Sequence, residues 1–115
     1  MKFIAVSRRA SLVSARVRVV RRPKFLDDLS EAYAWIAFDS EKAAERLLDR
    51  VEATIERLQQ YPMMGTPRDS LAPGVRSIRA RPFRHLIFYR VDKEEIILIR
   101  ILHGARRLEA QAYED

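Results

Sequence analysis

Arg16 to Val20 (RVRVV) alternates polar and apolar positions with period two and is rich in valine, which predicts a strand. Pro23 suits the first turn of a helix, where its missing N–H costs nothing. Asp27, Asp28 and Glu31 follow near the positive end of that helix. Leu26, Leu29, Tyr33, Ile36 and Ala37 then recur at helical spacing. Asp39-Ser40 interrupts the run, and Ser40 is a fitting N-cap for a second helix. In that helix Ala44, Leu47, Leu48, Val51, Ile55 and Leu58 make one apolar stripe. Its like charges four apart (Glu41–Glu45, Glu45–Asp49, Glu52–Glu56) are partly offset by Lys42, Arg46, Arg50 and Arg57. Tyr61-Pro62 stops it. The two helices with their short joint form an αα-hairpin.

Residues 61–74 (YPMMGTPRDSLAPG) hold three of the five prolines and two of the three glycines, which predicts a loop. Three strands are expected after it, over Val75 to Ala80, Arg84 to Val91 and Glu95 to Leu102. Asp92-Lys93-Glu94 forms a tight hairpin turn without glycine. Strict alternation along the last strand places Ile97, Ile99 and Ile101 on one face. Ile96, Leu98 and Leu102, with Arg100, fall on the other. A strand apolar on both faces needs cover on both. The helical hairpin covers one, and the C-terminal tail or a partner protein must cover the second. The pattern is an α+β fold of order β-α-α-β-β-β, with the helical hairpin on one face of a mainly antiparallel sheet.

The length of 115 residues suits one domain. Residues 16–115 are expected to form it, and residues 1–15 to be a basic extension, either a flexible arm or the product of a start codon assigned too early. Ser7-Arg8-Arg9 followed by Leu12 is faintly like a twin-arginine export signal. Arg16, Arg18, Arg21 and Arg22 interrupt the apolar stretch that signal needs, so a cytoplasmic protein is expected. The longest apolar run is seven residues, Ala32 to Phe38, far short of a membrane span, so no membrane partner is expected. The absence of cysteine excludes a disulfide framework, a thiolate zinc site and a cysteine nucleophile.

Charge changes the picture more than composition does. The net charge is +6, but it is unevenly spread. Residues 1–26 hold eight bases and no acid, residues 27–60 four bases and nine acids, and residues 61–115 ten bases and seven acids. Basic flanks around an acidic middle attract anionic partners, either nucleic acid or an acidic protein. Arginine outnumbers lysine 18 to 4, which favours bidentate contacts to carboxylate or phosphate.

There is no phosphate-binding glycine loop, no dinucleotide fingerprint and no metal-spaced His/carboxylate cluster. Neither a cofactor nor a metal is expected. His85 reads as an ordinary hydrogen-bonded histidine in mid-strand. His103 directly follows the last strand, and Gly104 lets the backbone turn sharply. That turn brings His103, Arg106 and Arg107 to one sheet edge near Arg100, an edge suited to carboxylates or other anions. Arg76, Arg79, Arg81 and Arg84 make a second basic group, with Arg79 and Arg81 on one strand face. Phe83 and Tyr89 add aromatic surface. Such a sheet suits RNA or an acidic protein equally.

Over residues 17–108 the chain resembles the ParE branch of the ParE/RelE toxins of bacterial type II toxin–antitoxin modules. The matching segments are Leu26-Asp27-Asp28-Leu29, Tyr33, Ile36-Ala37, Ala43-Ala44, and Leu58 with Tyr61-Pro62-Met63-Met64-Gly65. They continue through Val75-Arg76-Ser77 and Ile87-Phe88-Tyr89-Arg90-Val91 to Ile99-Arg100-Ile101-Leu102-His103-Gly104-Ala105-Arg106-Arg107. The resemblance implies a toxin that inhibits DNA gyrase by direct binding, without chemistry of its own, and is neutralised by an acidic ParD-like antitoxin. Arg76, Arg100, His103, Arg106 and Arg107 are the residues expected to shape its target-binding edge. The RelE branch implies an alternative, ribosome-dependent cleavage of mRNA, for which Arg81, Arg107 and Tyr113 would serve. Residues 65–82 lack the lysine of that branch. A third alternative is a degenerate, non-toxic binding module.

Overall fold

The computed structural model describes residues 17–104. Strand β1 (Arg18–Arg21) leads into α1 (Pro23–Ala37) and α2 (Glu41–Gln60). A two-residue strand β2 (Thr66–Pro67) precedes β3 (Val75–Arg79), β4 (His85–Asp92) and β5 (Glu95–His103). They form one five-stranded sheet in the order β1-β5-β4-β3-β2. β1 runs parallel to β5, and every other neighbouring pair is antiparallel. The α+β architecture expected from the sequence is the one observed, with β2 added at the far edge. A two-residue strand has too few positions to show a period, and its Pro67 is tolerated because it lies on an edge.

Both helices begin and end where local chemistry says. Pro23 opens α1. Ser40 caps α2, its Oγ accepting from the Ala43 N–H at 3.1 Å. The stripe that α1 buries differs from the expected one. Phe25 is fully buried, with Leu29, Ala32 and Ile36 packed beside it, while Leu26 is 47% exposed. On α2, Ala44, Leu47, Val51, Ile55 and Leu58 are buried as expected, and Thr54 joins them by donating its hydroxyl to the Arg50 carbonyl at 2.7 Å. These helices cover the face of the sheet that carries Ile87, Tyr89, Ile96, Leu98 and Ile101.

The other face carries Val75, Phe88, Ile97, Ile99 and Leu102, with Leu71 and Ala72 of the 68–74 loop packed on it. Loop residues therefore contribute cover that the sequence reading assigned to the tail or a partner. The faces of β5 also depart from strict alternation. Tyr89 pairs with Leu98 but Phe88 pairs with Arg100, so Ile99 is an extra residue and the strand bulges there. Beyond the bulge the parity flips. Ile101, not Leu102, joins Ile96 and Leu98 beneath the helices.

Two further expectations are corrected. β3 ends at Arg79, so Arg81 lies in the turn before β4 and does not share a strand face with Arg79. His85 opens β4 and is not mid-strand. The β4–β5 turn is as tight as expected: Asp92 pairs with Glu95, and Lys93 takes φ 57° to close it. Residues 1–16 and 105–115, including Arg106, Arg107 and Tyr113, lie outside the described residues.

Candidate target-binding surface

α1 is fastened to β5 by Asp28. Its carboxylate accepts from Arg100 Nε at 2.7 Å and Arg100 Nη2 at 3.0 Å, and its Oδ2 also accepts from the Ile101 N–H at 3.2 Å. The Asp28 and Arg100 side chains are only 8% and 17% exposed. A bidentate pair at that depth fixes geometry as well as charge. Arg100 therefore builds the surface by holding α1 in place.

Arg76 has a similar task elsewhere. Its Nη1 donates to the carbonyls of Met63 at 3.0 Å and Gly65 at 2.8 Å. Tyr89, fully buried, completes this fastening: its hydroxyl accepts from the Gly65 N–H and donates to the Pro62 carbonyl, both at 2.8 Å. A Cβ on Gly65 would sit 2.5 Å from the Tyr89 hydroxyl and 2.9 Å from the Ser77 carbonyl, so only glycine fits. Burial pushes the Tyr89 phenol up, partly countered by the Gly65 N–H and by Arg76. Arg76 faces Tyr89 across the ladder, four residues along β4 from His85. That is about 13 Å, so Arg76 does not join the edge at His103.

That edge has its own composition. His85 and His103 are cross-strand partners, their rings edge-to-face with centroids 5.5 Å apart. His85 Nδ1 is buried without a hydrogen-bond partner, contrary to the satisfied histidine expected. Burial lowers the His85 pKa, and the neighbouring His103 lowers it further. Gly104 turns the chain as predicted, its N–H donating to the Arg84 carbonyl at 2.8 Å. A cleft of about 360 Å³ opens beside the histidines, lined by Asp28, Glu31, Ala32 and Trp35 of α1 and by Ile101, Leu102 and the two histidines.

Trp35 is 82% exposed and Phe38 88%. They lie three residues apart at the end of α1, with Trp35 on the wall of the cleft. Large exposed aromatics beside a concave surface mark a site for a macromolecular partner. The sequence reading did not single them out. The available signal was angular: positions 35 and 38 fall off the stripe through 25, 29, 32 and 36.

Among the described residues, no group of three or more His, Cys, Asp or Glu could hold a metal ion. Nor is any helix among them long and apolar enough to cross a membrane. Arg81 is exposed, and its carbonyl accepts from Arg50 Nε at 2.9 Å.

A helix pair laid on one face of this mixed sheet, with an aromatic-rimmed cleft beside the histidine pair, defines a small α+β domain with a concave surface for a partner. The chain belongs to the ParE family, described as the ParE toxin of the type II toxin–antitoxin system parDE, whose model matches residues 19–108. Toxin ParE3 of Caulobacter vibrioides is 32% identical over 95 residues, covering 82% of this chain and 93% of that protein. Toxin ParE1 of the same organism is 35% identical over 94 residues, covering 81% and 93%. The fold matches a chain from the chromosomal ParDE toxin–antitoxin system of P. aeruginosa with a TM-score of 0.65. That match is 24% identical and covers 78% of this chain and 98% of that one.

Proposed function

We propose that this toxin acts by binding DNA gyrase and that an acidic ParD-like antitoxin neutralises it. The observation that carries the reading is the exposed pair Trp35 and Phe38 beside the cleft, on a chain of the ParE family. Exposed aromatics anchored on a rigid helix are the anchors of protein–protein contacts. Partner binding, unlike catalysis, needs only such a surface held in shape. Arg100 and Arg76 hold that shape from within, through Asp28 and the Met63–Gly65 loop. His103, with Arg106 and Arg107 following it in sequence, supplies the edge that contacts the target.

The antitoxin docks as an amphipathic helix whose apolar side meets Trp35, Phe38 and the cleft wall. Its acidic residues complement a chain of net charge +6. The likeness to a chain from a ParDE system supports such a partner.

Induction of the toxin in growing cells, with pulse labelling of DNA and protein, tests the reading. DNA synthesis should stop first while translation continues, and coexpressed antitoxin should restore growth. Immediate arrest of translation would instead favour mRNA cleavage through Arg81, Arg107 and Tyr113. Unimpaired growth would mark a degenerate module.

A further inference from the structure

We propose that an arginine basin between α2 and β3 binds the phosphodiester backbone of a nucleic acid. The basin has a volume of about 330 Å³ and shares no lining residue with the cleft at the histidine pair. Five arginines line it: Arg50 and Arg57 from α2, Arg68 from the loop after β2, Arg79 at the end of β3, and Arg81 in the following turn. No carboxylate lines it. Arg18, Arg21 and Arg100, which lie outside the basin, are held in ion pairs. Arginines gathered without neutralising carboxylates create a positive potential that an anion relieves.

The arginines are also held in position. Arg50 donates Nε to the Arg81 carbonyl at 2.9 Å, Arg68 Nε to Ser77 Oγ at 2.9 Å, and Arg79 Nε to the Phe83 carbonyl at 2.7 Å. Anchoring at Nε stiffens each side chain and leaves the terminal nitrogens of Arg50 and Arg68 to face a ligand, while Arg79 also donates Nη2 to the Pro82 carbonyl at 3.4 Å. Those forks match phosphate oxygens in pairs. Arg50 and Arg57 are seven residues apart on α2, about 10.5 Å along its axis. Arg79 also lines the neighbouring hollow with Arg84, which extends the basic track.

The lining selects the polyanion. An acidic amphipathic peptide needs an apolar strip to seat on; the basin's large apolar lining residues are Met64, Ile78 and Leu86 against five arginines, and the exposed Trp35, Phe38 and Tyr61 do not line it. No aromatic lines the basin, so bases have no stacking platform and the contact is to the backbone, independent of sequence. No His, Asp, Glu, Lys or Tyr lines it either, so the proposal is binding without cleavage.

Fluorescence anisotropy with the full chain tests this, using a labelled DNA duplex and a labelled single-stranded RNA at 50 and 200 mM salt. With about four phosphate contacts, affinity should fall roughly 150-fold between the two salts. Arg57→Glu, at an exposed position, should weaken binding by about tenfold or more, since a charge is reversed within the site. Arg57→Gln should weaken it less, and Arg46→Glu, on α2 outside the basin, should change it little. Equal binding of both probes supports backbone recognition, and preference for one names its source. Binding of neither at 50 mM overturns the proposal, as does binding that both Arg57 variants leave unchanged. So does displacement of either probe by polyglutamate at equal charge, which would make the basin a socket for an acidic protein.

Discussion

Asp28 shows how much one residue can hold. Its carboxylate takes three hydrogen bonds from β5 and anchors α1 against the sheet. Asp28→Ala would leave the nearly buried Arg100 guanidinium without its carboxylate. Stability should fall by about 3–5 kcal/mol, read as a lower urea midpoint at unchanged slope. Half of this contact was legible in the sequence: Arg100 stands out on an apolar strand, and an acid suits the start of α1. The pairing was not, because the two positions are 72 residues apart and nothing local links them. His85 gives a second prediction. Its pKa lies below the ordinary 6.5, chiefly through burial and then through His103, so the fold favours the neutral ring. As pH falls below 6.5 the unfolded chain takes up the proton first. The stability contribution, complete above 6.5, is then lost as pH drops through the folded value. Chemical denaturation across pH 5 to 8 should show the loss, and His85→Gln should reduce it.

At the scale of elements, period decided what could be read. α1 and α2 repeat at helical spacing for 15 and 20 residues, and Pro23 and Ser40 mark their starts, so their existence and bounds were readable. The faces of β5 were not, because one extra residue at Ile99 exchanges Ile101 and Leu102. A bulge leaves no mark on a run that is apolar on both faces. The basin was hidden for a related reason. Arg50 and Arg57 read as partners for neighbouring acids on α2, whereas the fold turns them toward Arg68, Arg79 and Arg81 from later elements. α1 carries its own prediction. Trp35→Ala and Phe38→Ala remove side chains that are almost wholly exposed, so stability should change by no more than about 0.5 kcal/mol. Antitoxin affinity, measured by calorimetry, should fall by about tenfold or more for Trp35→Ala, as expected for an aromatic anchor. An unchanged affinity would place the antitoxin elsewhere.

The molecule carries two separate surfaces on one sheet, with no lining residue in common. Aromatics and histidines gather where α1 meets the ends of β4 and β5, and arginines gather where α2 meets β3. On the proposed reading, in which the toxin acts by binding gyrase, inhibition should follow occupancy of the target and not accumulate with time. Titration of the purified toxin into a supercoiling reaction, with gyrase, ATP and relaxed plasmid held constant, measures this directly. The account predicts supercoiling that declines with the toxin-to-gyrase ratio, reaches a plateau, and returns when antitoxin is added. Supercoiling undiminished at every ratio would contradict it.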